Sequence, residues 1–157
     1  MLTAAKALNL PVVVTEQYPK GLGHTVKELD VKGFPIIEKT QFSMCTAETR
    51  EHLKSVKNLN SVLLCGIEAH ACVQQTAFDL LEDGYDVHIL ADAVSSRSMV
   101  DRMLAFRRME NAGAFITTSE SVLLMLCKDA AHPKFKEVQK CIWEVTPDSA
   151  ILSGQIE

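Results

Sequence analysis

The stretch SVLLCGIEAHACVQQTAFDLLEDGY, residues 61–85, decides how the chain folds. Residues 61–65 form a short apolar run opened by Asn60 and closed by Gly66, which predicts a buried strand. Over residues 71–82, Cys72, Val73, Thr76, Ala77, Leu80 and Leu81 fall on one stripe of a helix. Asp83-Gly84 then supplies a left-handed cap. Strand, glycine turn and helix in this order put Cys72 in the first helical turn. Unpaired N–H groups and the positive end of the helix dipole favour an anion there. The thiol is expected to ionise below its free value of about 8.5, as a nucleophile would. A structural thiol in the core is the competing reading, since the G-x-S-x-G of a nucleophile elbow is absent.

On the N-terminal side, residues 1–9 have a helical stripe (Leu2, Ala5, Leu8) and residues 11–15 read as a strand apolar on both faces. Residues 16–23, EQYPKGLG, are a turn-rich loop. A short helix is expected at residues 25–29, a strand at 34–38, and a helix at 46–56 with Thr46 as N-cap. On the C-terminal side, strands are expected at residues 85–91 and 114–117. Helices are expected at 98–111, 119–127 (Ser119 as N-cap) and 133–143. Strands alternating with helices predict an α/β fold, a three-layer, doubly wound, mostly parallel sheet with helices on both faces. Residues 1–145 form one domain in this reading, and 146–157 a loose tail.

The 157 residues carry a net charge of −4 and five cysteines. The charge argues against nucleic acid or an anionic membrane as partner. Arg102, Arg107 and Arg108 read as a solvated helix face. No apolar run approaches the ~18 residues of a membrane span. The cysteines are odd in number and include no C-x-x-C pair, so reduced thiols in the cytoplasm are expected. The five histidines form no metal-ligand spacing, and no phosphate-binding glycine loop is present. Neither a metal nor a cofactor is expected.

Besides Cys72, the local patterns single out Lys39 and Glu68. Lys39 sits beyond the carboxyl end of a strand, where ligands bind in open α/β sheets and where a cation can steady a thiolate. The backbone N–H of Glu68, inside the turn, can join that of Cys72 in holding an oxyanion. His70 is too close to Cys72 in sequence to face it well as a base. Cys65 reads as a structural thiol ending a buried strand.

Residues 66–73 (GIEAHACV), followed by Gln75-Thr76-Ala77 and Asp79-Leu80, resemble the nucleophile segment of the isochorismatase-like cysteine hydrolases. Residues 39–43 (KTQFS) resemble the family's lysine segment, and residues 92–97 (DAVSSR) a later loop. Residues 14–19, 21–23 and 129–136 are similar to the isochorismatase domain-containing proteins in particular. The resemblance implies an Asp-Lys-Cys triad. Cys72 is then the nucleophile, Lys39 the residue favouring its thiolate, and the N–H groups of Glu68 and Cys72 the oxyanion hole, with a cis peptide between Ile67 and Glu68. It also implies a small amide or vinyl-ether substrate. A small pocket is expected between Tyr18, Phe42 and the Cys72 turn, and a homo-oligomer is expected. The metal-dependent nicotinamidase branch has an Asp-x-His signature that is lacking after Thr15, which disfavours a metal and nicotinamide.

One departure stands out. The resemblance places the triad aspartate on a first strand upstream of residue 1, central in the strand order 3-2-1-4-5-6. Without it, two neighbouring strands are expected to stand about 10 Å apart with unpaired edges. The chain then reads as an impaired hydrolase. The alternatives are a non-catalytic isoform or pseudoenzyme acting through protein–protein contacts, or a thiol redox sensor using Cys65 and Cys72.

Overall fold

The structure, a computed structural model, describes residues 1–145; the expected tail, 146–157, lies outside the described residues. It is an α/β fold in which every strand pair is parallel. The chain runs α1 (Leu2–Ala7), β1 (Val14–Gln17), α2 (Pro19–Leu22), β2 (Ile36–Lys39), α3 (Ala47–Ser55), β3 (Ser61–Ile67), a π-helical turn (Ala69–Val73), α4 (Gln74–Glu82), β4 (Asp86–Ser95), α5 (Met99–Asn111), β5 (Phe115–Thr117), α6 (Ser119–Cys127) and α7 (Phe135–Cys141).

The strands form two sheets, β1-β2 and β3-β4-β5, and no strand pairing joins them among the described residues. β1 and β3 therefore each keep one unpaired edge, and the two halves have not closed by direct pairing. Pairing fixes the strand order within each sheet only. Cys65 lies on β3 and is exposed rather than buried. Its surroundings still crowd it: desolvation pushes the thiol up, and the Met1 α-amino group pulls the other way.

Apolar packing covers both faces of β4. Period-two alternation sends Val87, Ile89 and Ala91 one way, into a core with Leu64, Val73, Ala77, Leu80, Ala105, Phe106 and Met109. A second core joins Ala4 of α1 to Leu123 and Cys127 of α6 and Val138 of α7. Helices thus lie on both sides of the sheet, as the sequence predicts.

Several local expectations shift. Residues 25–29 form no helix; the one short helix of that loop is α2, where Pro19 sits at the first helical position after a left-handed Tyr18 (φ 41°). The helix after β3 starts with a π-turn instead of at residue 71. Thr118, not Ser119, caps α6, accepting the Ser121 N–H. Thr46 caps α3 as expected, accepting the Thr49 N–H at 3.1 Å. Arg102 lies on the buried stripe of α5 and donates to the carbonyls of Ala91 and Val94 at 2.6 and 2.9 Å, so it is no part of a solvated face.

Candidate active site

Lys39 ends β2 and is 7% exposed. An ammonium that deep in the protein needs hydrogen-bond acceptors. It donates to Gln17 Oε1 at 2.5 Å and to the carbonyls of Gln41 and Phe42 at 3.1 and 2.8 Å. Parallel register explains the first bond: Gln17 is the Cα partner of Lys39, so their side chains leave the sheet together. Burial pulls the Lys39 pKa below its ordinary value, while attraction and hydrogen bonding to the Cys72 thiol pull it back up. The ammonium at the end of β2 and the thiol in the turn after β3, predicted separately from sequence, are thus close enough to interact.

Cys72 stands half-buried in the π-turn, and its carbonyl accepts the Thr76 hydroxyl at 2.6 Å. Ahead of it the Ile67–Glu68 peptide is cis, as the family resemblance implies. The Glu68 carboxylate accepts the Arg97 N–H at 2.8 Å, and His70 Nδ1 lies 2.9 Å from Ser96 Oγ. Two side chains at the turn are thus tied to the loop after β4. His70 is engaged with Ser96.

Tyr18 and Phe42, the expected pocket walls, flank Lys39 through their backbones. The Tyr18 N–H donates to the Lys39 carbonyl at 2.8 Å, and the Phe42 carbonyl accepts the ammonium. Their rings are about half exposed. The Tyr18 ring covers Gly21 so closely that a Cβ there would lie 2.4 Å from it. Hollows of about 720 and 730 Å³ lie beside α1 and contain none of Lys39, Cys72, Tyr18 or Phe42.

Asp79 accepts the Ser43 hydroxyl at 2.6 Å, and Asp92 accepts the N–H and hydroxyl of Ser119 at 2.8 and 3.1 Å. Among the described residues no group of three or more His, Cys, Asp or Glu side chains is placed to hold a metal ion, and no helix is long and apolar enough to cross a membrane.

Sequence reasoning missed Gln17 as a partner of Lys39. The signal was available: two parallel strands ending in EQ and EK put Gln17 beside Lys39 once they are in register. It also missed the contacts made by Ser43, Thr76 and Asp79, which depend on tertiary packing.

Residues 1–121 match the family profile described as the isochorismatase domain. The chain is 60% identical over 153 residues to isochorismatase domain-containing protein 2 of Xenopus laevis, covering 98% of this chain and 75% of that protein. It is 53% identical over 154 residues to isochorismatase domain-containing protein 1 of Danio rerio, covering 98% of this chain but 54% of the relative. Among solved structures, the MAR1 ribonuclease of Caenorhabditis elegans superposes with a TM-score of 0.90 at 54% identity, covering 95% of this chain and 78% of that one. The ycaC gene product of Escherichia coli, described as an octameric hydrolase of unknown specificity, superposes with a TM-score of 0.75 at 25% identity, covering 87% and 70%.

Proposed function

Because this chain belongs to the isochorismatase domain family, we propose that it carries the cysteine and lysine of a hydrolase site acting on a small amide or vinyl-ether substrate. The observation that carries this reading is the buried Lys39 ammonium facing the Cys72 thiol. A fixed cation beside a thiol favours thiolate, the nucleophilic form.

For an amide, the Cys72 sulfur forms a C–S bond to the carbonyl carbon, and the carbonyl oxygen takes the negative charge. The N–H groups of Glu68 and Cys72 are the proposed donors to that oxyanion. The C–N bond then breaks as the nitrogen takes a proton, leaving a thioester. Water attacks the thioester, the C–S bond breaks, the acid departs and the thiolate returns. The proton acceptor of the first step is the triad aspartate that the resemblance places on a segment before α1. Polypeptide 1–157 alone is therefore expected to turn over about 10²–10⁴-fold more slowly than a form carrying such a segment. Assaying both forms on a panel of small amides and vinyl ethers checks this, and equal rates would overturn it.

Iodoacetamide should alkylate Cys72 faster than Cys45, Cys65, Cys127 and Cys141 at neutral pH, and Lys39→Ala should slow that reaction about tenfold. Peptide mapping by mass spectrometry reads both. An inert Cys72 in the folded protein would remove the nucleophile assignment.

The nematode neighbour is described as a ribonuclease, which makes RNA a second substrate class. A net charge of −4 weighs against it, since phosphate backbones are held mainly by lysine and arginine. Cleavage of a labelled RNA that is lost in Cys72→Ala would favour RNA over the small-molecule reading. Assembly as a homo-oligomer is drawn from the octameric bacterial neighbour and from exposed Val100, Leu104, Leu124, Met125 and Trp143. Light scattering should then give a mass well above the 17.3 kDa of one chain.

A further inference from the structure

Lys39 and Cys72 meet across a boundary that no strand pairing bridges. Their relative position depends on side chains, and residues 41–45 supply the connection. At one end of this run, the carbonyls of Gln41 and Phe42 accept the Lys39 ammonium. At the other end it grips the helix that follows the nucleophile turn. The Met44 N–H donates to Thr76 Oγ1 at 2.8 Å, and the same hydroxyl donates to the Cys72 carbonyl at 2.6 Å. Ser43 Oγ donates to Asp79 Oδ2 at 2.6 Å and accepts the Cys45 N–H at 3.1 Å. Thr76 is 1% exposed and Ser43 7%, so water does not readily replace these bonds.

We propose that Thr76 is a positioning residue for the Lys39–Cys72 pair. Its one hydroxyl, donating to the Cys72 carbonyl and accepting from the Met44 N–H, holds thiol and ammonium in place across the two sheets. This deepens the proposed function and rests on it. A threonine bonding back to the carbonyl four residues earlier is common in helices. What sets this one apart is its remaining acceptor capacity, which a hydroxyl has and which here takes a donor from the lysine segment. Valine has the same shape but can neither donate nor accept. Serine keeps both functions and loses a methyl group.

The test is the rate of iodoacetamide alkylation at Cys72, followed by mass spectrometry from pH 5 to 10. It uses the full chain and its Thr76→Val, Thr76→Ser, Lys39→Ala and Thr76→Val/Lys39→Ala variants. Thr76→Val is expected to slow alkylation at pH 7 about tenfold and to change the pH–rate profile in the same direction as Lys39→Ala does. Thr76→Ser should stay within about twofold of the parent, and the double variant should be no slower than Lys39→Ala alone, because both changes remove the same interaction.

If Lys39→Ala leaves the profile unmoved, the Cys72–Lys39 reading itself fails. If Lys39→Ala moves it and Thr76→Val does not, or the two effects add in full, the positioning role is overturned while that reading stands. Circular dichroism checks folding. Should Thr76→Val not fold, Ser43→Ala loosens the same run from its other contact and carries the same expectation, and an unmoved profile there overturns the proposal.

Discussion

Glu16 shows how much one carboxylate can be asked to hold. It is almost wholly buried and accepts the Thr25 N–H at 2.7 Å, the Thr25 hydroxyl at 2.7 Å and a bond with His24 Nδ1 at 2.6 Å. The Thr25 N–H, then His24, lower its pKa from 4.5 to about 2. In return Glu16 raises the pKa of His24 above 6.5, with Glu38 adding to the effect. The signs fix a window. The Glu16 contribution is present above its unfolded value near 4.5 and is lost as pH falls toward 2. The His24 contribution is complete below 6.5 and is lost as pH rises through its folded value. The clasp, which ties the loop after β1 back onto that strand, is therefore strongest between about pH 4.5 and 6.5. Glu16→Gln should lower the melting temperature most in that window. The deficit should shrink toward pH 2 and also above the folded pKa of His24, and thermal melts across pH read it directly. A deficit independent of pH would show that Glu16 acts by packing alone. None of this was legible in EQYPKGLG. The motif announces a turn, but the partners of Glu16 lie eight and nine residues on, and only the left-handed Tyr18 and the helix after it bring them back.

Elements differ in how openly their sequences declare them. α3 was legible down to its cap, because Thr46 and the Thr49 N–H that it accepts lie within one turn of each other. α5 was legible as a helix but misread on its charges. Arg102 occupies the same stripe as Ala105, Phe106 and Met109, spaced three, four and seven residues on, so its position marks it as buried whatever its charge. Its guanidinium lies 5.5 Å from the Phe106 ring centroid and reaches the carbonyls of Ala91 and Val94. Those carbonyls belong to the end of β4, where the strand runs past its partner β5 and loses that ladder. Arg102 thus fastens α5 to the part of β4 that leads to Ser96 and Arg97, the residues gripping the nucleophile turn. Arg102→Met keeps most of the apolar stem and leaves the carbonyls without this donor, at an expected cost of about 2–4 kcal/mol. Urea denaturation measures it, and a loss below about 0.5 kcal/mol would mean that solvent or a neighbour satisfies them. The π-turn was the least legible element. Residues 69–73 (AHACV) mix alanine, the best helix former, with weaker His, Cys and Val, and nothing in them marks bonds that close over five residues rather than four.

Across the whole molecule, apolar patterning foretold strands and helices but could not say which strands touch. That β1 and β3 would fail to pair was foreseeable only from the family resemblance, and pairing in the structure leaves both edges open. This divides stability unevenly. The larger apolar core is built from residues 44–116 and contains no side chain of β1 or β2. The smaller sheet is held to the rest through Ala4 of α1 against α6 and α7, and through Ser43 and Met44 against α4. Its strands have four residues each, and of these eight residues only Glu16, Ile37 and Lys39 are buried. Local opening that bares less apolar surface to water needs less free energy, so the two sheets should not exchange amide hydrogens at one rate. Peptides spanning β1 and β2 are expected to take up deuterium at least tenfold faster than those spanning Val87, Ile89 and Leu90, whose side chains are fully buried. Adding a polypeptide segment that pairs with both open edges should raise protection in β1 and β3 together, because a single added strand would satisfy both ladders. Hydrogen exchange read by mass spectrometry tests both statements. Equal protection of the two sheets in the 157-residue chain would mean that the side-chain bridges through Thr76 and Ser43 couple the halves as tightly as a strand ladder would.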